Sequence, residues 1–156
     1  MSGTGELPPL PDGVPEAPPH HIPYGPPLTL AMARTAVDAA IAEAGRRGWP
    51  IAAAIVTPAG VLVAFALMDD TQTASADIAI AKARTAAMFR RSTRVFAETM
   101  ARGEANPAAL HPVVVASPGG LPIVLDGRVV GGIGCSGVAG VQDEVAAQAG
   151  ISALVR

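Results

Sequence analysis

The sequence predicts one α/β domain of the α+β type: a mainly antiparallel five-stranded sheet flanked by helices. Three observations carry that expectation. Segments with apolar residues at three- and four-residue steps alternate with short runs rich in Val, Ile and Ala, and the runs are joined by tight turns rather than by crossover helices. Half of the 156 residues are hydrophobic but only 3% are aromatic, so the interior must be built from Ala, Val, Ile and Leu in closely packed elements. Nine of the 15 prolines fall in residues 1–27, which separates an extended arm (1–27) from the folding unit (28–156).

In the arm, proline fixes φ and removes a backbone donor, so neither a helix nor a central strand forms there. The segment reads either as a disordered tail or as an arm lying on a neighbouring subunit, with Leu7, Leu10, Ile22 and Tyr24 as docking groups. The first helix follows, with Thr29 as N-cap and an apolar stripe of Leu28, Met32, Ala33, Ala36, Val37, Ala40, Ile41 and Ala44; Gly48 ends it after Arg47. Ile51–Thr57 and Val61–Met68 read as two strands joined by the turn Pro58-Ala59-Gly60.

A long helix is expected over Ser75–Arg91, and a second piece over Thr93–Arg102. Asn106–His111 connects them to a short strand at Val113–Ala116. Leu121–Leu125 and Arg128–Cys135 flank Asp126-Gly127, a strong hairpin signal because type I′ turns need positive φ at both central residues. A closing helix runs from Val141 toward the C-terminus, interrupted or bent near Gly150.

Composition excludes several classes of partner. A formal net charge of −2 gives no basis for nucleic acid or an anionic membrane surface. No apolar run approaches the roughly 18 residues of a membrane span, and the first residues lack the pattern of a secretory signal, so a cytoplasmic location is expected. A lone cysteine, Cys135, fits a reducing compartment. Charged residues are 15% of the chain, below the typical fraction of about 25%. So little charge suggests that the chain buries surface against copies of itself.

Three segments could carry chemistry. On the helix Ser75–Arg91, the face Ala76, Ala79, Ile80, Ala83, Ala86 and Ala87 suits close approach to a sheet. A narrower face carries Ser75, Ile78, Lys82, Thr85 and Phe89. A cation with two hydroxyls suits an anionic group; equally, it suits a solvated edge along which Lys82 snorkels. The second segment is Arg128–Gly137, where a run of glycines implies close approach by a helix or a flat ligand. The third is Ser117-Pro118-Gly119-Gly120, either an anion-binding nest or a plain turn.

Other motifs fail. Gly132-Ile133-Gly134-Cys135-Ser136-Gly137 has dinucleotide-loop spacing but no following βαβ unit. Ser136 lacks the second glycine of a nucleophile elbow, having Val138 there. His20, His21 and His111 show no zinc-ligand spacing.

Taken in order and spacing, Met68-Asp69, Ser75…Ile78-Ala79…Lys82-Ala83-Arg84-Thr85-Ala86, Gly119-Gly120-Leu121-Pro122-Ile123, Asp126-Gly127, Val130–Gly137 and Gln142-Asp143-Glu144 resemble the GlcG/HbpS family, whose members include haem-binding and PduO C-terminal-like proteins. The resemblance spans about residues 28–155. It implies a profilin-like antiparallel sheet with flanking helices, assembled as dimers or higher oligomers such as octamers, and a small-molecule ligand, with haem as the cofactor implied. The chain departs from the family pattern at Leu67-Met68-Asp69-Asp70, where many members have Arg-Met-Asp-Gly, and at Cys135, where an aliphatic residue is common. Cys135 is therefore either a buried structural thiol or a soft ligand.

No iron ligand transfers by motif. The candidates are His111, His20, His21 and Cys135, with Ser75, Lys82, Thr85, Phe89, Gly119, Gly120 and Ser136 as ligand-binding residues. The first functional expectation is a haem-class binding protein, with Lys82 or a nearby arginine meeting the propionates. The alternative is a cofactor-free enzyme of isomerase, hydratase or lyase type acting on a small carboxylate. In that reading Lys82 pairs with the substrate, Asp69 or Asp143 moves a proton, and the glycine turn donates N–H groups. A structural accessory subunit is the third.

Overall fold

The computed structural model describes residues 5–155. Its elements are α1 (Leu30–Arg47), β1 (Ala52–Val56), β2 (Leu62–Leu67), α2 (Ser75–Phe89), α3 (Thr93–Ala101), a 3₁₀ turn (Pro107–Ala109), β3 (Gly120–Leu125), β4 (Arg128–Ser136) and α4 (Gly140–Ser152). The strands form one antiparallel sheet in the order β2-β1-β4-β3.

The α1 boundaries have local causes. Thr29 Oγ1 accepts the Met32 N–H at 3.2 Å, and Gly48 at φ 73° turns back onto the Ala44 carbonyl. Its stripe Ala33, Ala36, Val37, Ala40 and Ala44 is buried. With Ile133, Cys135, Ala146 and Ala147 it forms the main core, between the sheet and the layer of α1 and α4.

The opposite face carries α2, whose Ala79, Ala83 and Ala87 pack on Ala52, Ala54 and Val56. Here the glycines of β4 have their reason. A Cβ on Gly132 would overlap the Ala83 carbonyl oxygen, and one on Gly134 would overlap Ala79 O and Ala83 N. A helix backbone therefore fills the space that the glycine run opens.

The sheet has four strands rather than the expected five. Val113–Ala116 is not a strand, because its backbone is held by a helix side chain. Thr85 Oγ1 accepts the Val115 N–H at 3.2 Å and lies 2.8 Å from Val113 O. Val113 and Val114 close a small cluster with Phe96, Met88 and Phe89. The β-branched composition was a strand signal without a strand partner.

A second difference concerns Gly150. α4 continues through it to Ser152, and the residue marks where α4 crosses α1: a Cβ there would stand 2.8 Å from Ala36 O. Small size, not a break, is what that position requires.

The proline arm docks on its own domain. Val129 donates to Pro23 O and Gly25 donates to Val129 O, each at 2.9 Å, while Leu28 donates to Val130 O at 3.0 Å. Tyr24 bridges Val129 in parallel, continuing the line of β1 beside β4. The Tyr24 hydroxyl donates to Met88 O at 2.8 Å, and Arg90 lies over the Tyr24 ring while donating to Ile22 O. Residues 5–21 are exposed.

Candidate functional site

Two regions hold the chemistry-bearing side chains. The first is buried. Lys82 on α2 and Asp143 in the first turn of α4 form an ion pair, Nζ to Oδ2 at 2.9 Å, and both are almost fully buried. Lys82 also donates to Cys135 O at 3.1 Å. Asp143 Oδ1 accepts the Val138 N–H at 3.2 Å and stands at a helix N-terminus, where negative charge is favoured. Burial nonetheless pushes its carboxyl above the ordinary range, opposed by the Lys82 charge and the backbone donors.

Gly119 covers the pair at φ 125°, where a Cβ would lie 2.8 Å from Lys82 Nζ and 2.7 Å from Cys135 O. Gly120 donates to Thr93 Oγ1 at 2.9 Å. The glycine turn is thus a lid in contact with the ion pair, and the Gly120 donor is already spent. Lys82 does not snorkel to solvent, and the cation expected to meet a ligand meets Asp143 instead. Ser75 and Ser136 are buried on the same side of the sheet, and Ser75 Oγ has no hydrogen-bond partner among the described residues. Thr85 is committed to the 113–115 segment. Asp69 stands exposed in the turn after β2, outside this cluster.

The second region lies at the corner between α2 and α3. Arg90 ends α2 at φ 56°, and Ser92 caps α3 by accepting the Arg94 N–H at 3.1 Å. The sharp turn sets Phe89 edge-on to Phe96, with ring centroids 5.4 Å apart, and leaves His111 6.5 Å from Phe89. Arg91 lies over both phenyl rings, at 5.6 Å from Phe96 and 6.0 Å from Phe89. A cleft of about 200 Å³ opens beside it, lined by Arg91, Val95, Phe96, Thr99, Pro107 and Leu110 among others.

Neither Arg90 nor Arg91 has a carboxylate partner among the described residues. Burial, and then the neighbouring Arg90, disfavour the Arg91 charge. The Arg91 field reaches His20: burial first, and then that charge, hold its pKa below the ordinary value. His20 and His21 are exposed in the arm and His111 is exposed beyond the 3₁₀ turn. His111 Nδ1 accepts the Val113 N–H at 3.0 Å, so the ring proton sits on Nε2. Cys135 points into the main core, where burial holds its thiol well above the ordinary range.

The structure thus joins Lys82 with Asp143 under Gly119, and Phe89 with His111. It leaves Asp69 apart from both groups. Sequence reasoning passed over Arg90, Phe96 and Leu110. The available signal was an Arg pair after Phe89 with a second Phe seven positions on, which places an aromatic on each side of a helix boundary.

Among the described residues no helix is long and apolar enough to cross a membrane. Fold and site together define a small α+β domain with helices on both faces of an antiparallel sheet and a cationic, aromatic cleft at one corner. Residues 28–152 match the family described as "Haem degrading protein HbpS-like", and the chain belongs to that family.

Protein GlcG of Escherichia coli K12 is 34% identical over 109 residues, covering 70% of this chain and 81% of GlcG. A double mutant of HbpS from Streptomyces reticuli has 29% identity and a TM-score of 0.76, covering 94% of this chain and 99% of that one. The crystal structure of a PduOC:heme complex has 28% identity and a TM-score of 0.75, covering 81% of this chain and 94% of that one.

Proposed function

We propose that this protein binds a flat, anionic macrocycle of the haem class, edge-on, at the α2–α3 corner. One observation carries the reading: Arg91, without a carboxylate partner among the described residues, lies over Phe89 and Phe96 beside an apolar cleft that it lines. A carboxylate-bearing aromatic ligand supplies both what the cation lacks and what the rings favour. The structural similarity to a domain solved with heme supports the same class.

The cleft of about 200 Å³ falls short of the roughly 300–1,000 Å³ that encloses a drug-sized ligand. One edge of the ring system would therefore enter, against Val95, Phe96, Pro107 and Leu110, with Arg91 at the same cleft to meet its carboxylates. When bound, haem would supply an iron centre. His20 would be the favoured ligand, with His21 beside it, because slight burial and then the Arg91 charge lower its pKa and so disfavour the proton that competes with iron. His111 would first have to move its proton off Nε2 and give up the Val113 N–H.

The buried Lys82–Asp143 pair gives no support to the carboxylate enzyme, since each group neutralises the other away from solvent. Low charge content supports self-association, and the single buried thiol supports a reducing compartment.

Haemin titration followed at the Soret band tests the reading. Saturable binding is expected, weakened about tenfold (1.4 kcal/mol) by Arg91→Ala. His20→Ala should alter the band position and His111→Ala should leave it unchanged. Binding indifferent to Arg91→Ala, or no saturable band, would refute the proposal.

A further inference from the structure

We infer that the cleft between the arm, the start of α1 and the β3–β4 hairpin is a second small-molecule site, suited to a free apolar α-amino acid. The cleft encloses about 230 Å³. Leu28, Met32, Leu125 and Val130 give it an apolar wall, and Pro26 and Pro27 of the arm close one side. It shares no lining residue with the corner cleft beside Arg91, so it stands apart from the haem-class reading.

A β-bulge aims the side chains. Ile123 pairs with Gly131 and Val124 with Val129, so Val130 is an extra residue on β4. Val130 thereby joins Ile133 and Cys135 in the core beneath α1. Arg128, two residues earlier and opposite Leu125, takes the same face. Without the bulge, alternation would carry both residues to the face of Gly132 and Gly134, which α2 covers.

The arm then fixes the wall and the cation. Leu28 donates to Val130 O at 3.0 Å, and Gly25 donates to Val129 O at 2.9 Å. A Cβ on Gly25 would lie 2.9 Å from Arg128 Cβ and 3.2 Å from its Cδ. The Arg128 stem therefore rests directly on the arm backbone, which limits where its guanidinium can go.

The charges select the ligand. Arg128 and Asp126 both line the cleft and both are exposed. Neither forms an ion pair among the described residues, with the other or with any third group. A carboxylate alone would suit Arg128 and be repelled by Asp126; an ammonium alone meets the reverse. A zwitterion carries both charges on one carbon and leaves its side chain for the apolar wall. The volume falls below the roughly 300–1,000 Å³ of drug-sized sites, which suits one amino acid. A peptide fits less well, because its free amine and free carboxylate stand on different residues.

Titration of the full chain with L-leucine, followed by calorimetry and by amide chemical shifts, tests the inference. Saturable binding at about 1 mM is expected, since exposed charges contribute modestly, with shifts at Thr29, Met32, Arg128 and Val130. 4-Methylpentanoate lacks the ammonium, 3-methylbutylamine lacks the carboxylate and free glycine lacks the side chain. Each should bind about tenfold more weakly than leucine. Arg128→Gln should weaken leucine about tenfold and leave 3-methylbutylamine unchanged. Asp126→Asn keeps a residue tolerant of the φ of 50° at that position; it should weaken leucine without weakening 4-methylpentanoate. A damaged hairpin would lose all three ligands together, so the crossed pattern separates recognition from folding. Leucine binding no tighter than that of its two fragments would overturn the inference. So would binding indifferent to both substitutions, or no saturable shift at about ten times the expected concentration.

Discussion

At the residue scale, the Lys82–Asp143 pair shows how one interaction changes a functional reading. Lys82 stood out in the sequence as the cation of a narrow face with two hydroxyls, and Asp143 as a group that could move a proton. Their separation of 61 positions hid that each is the other's partner. Breaking a buried pair strands a charge, so Lys82→Met alone should cost about 3–5 kcal/mol in urea unfolding. The double change Lys82→Met/Asp143→Leu should recover most of that loss. Ser75 gives the opposite expectation. Its hydroxyl is buried without a partner among the described residues, so Ser75→Ala should be neutral or stabilising in the same assay. Cys135 should resist a thiol reagent in the native state at mildly alkaline pH and react only on unfolding, because burial keeps it protonated.

At the scale of elements, legibility followed how local each cause is. The Asp126-Gly127 hairpin was readable because the turn needs only its own two residues, which take φ 50° and 72°. The α1 boundaries were readable from Thr29 and Gly48 for the same reason. Val113–Ala116 was misread because a strand is defined by its neighbour, and that neighbour is the Thr85 hydroxyl on α2. The corner cleft was not legible at all, since its walls come from α2, α3 and the segment after α3, with the arm beside them. The glycine strand was half legible: close approach was evident, but what approached was not. Gly134→Ala should therefore push α2 off the sheet and destabilise by about 1–3 kcal/mol or more, measured by thermal or urea unfolding. An exposed change on the same helix, such as Asp77→Ala, should stay within about 0.5 kcal/mol.

For the whole molecule, the arm links the fold to the proposed site. Its anchor is the Tyr24 hydroxyl on Met88 O, so Tyr24→Phe should cost about 0.5–1.5 kcal/mol and loosen residues 22–28 in hydrogen exchange. Trimming up to residue 19 should leave stability intact, whereas trimming through His21 should also remove both candidate ligands in the arm. The sign of the pH dependence follows from His20. A histidine with a depressed native pKa binds fewer protons folded than unfolded, so its contribution is present above about pH 6.5 and is lost as pH falls through the depressed value. Haemin binding should accordingly persist somewhat below pH 6.5 and then weaken on further acidification. A constant affinity across that range would remove His20 from the site.

The contact of α2 with β4 has a consequence for how this chain can change over generations. What obstructs a side chain at Gly132 and Gly134 is main chain, the Ala83 and Ala79 carbonyls, and every residue type carries the same main chain. No second-site substitution on α2 can restore the lost room, so these two positions have no compensating partner and no neutral path away from glycine. The corner cleft has no such restriction, because Val95, Thr99 and Leu110 meet it through side chains that exchange freely. The lining of the cleft is thus free to drift in this architecture while the helix height above the sheet is inherited unchanged.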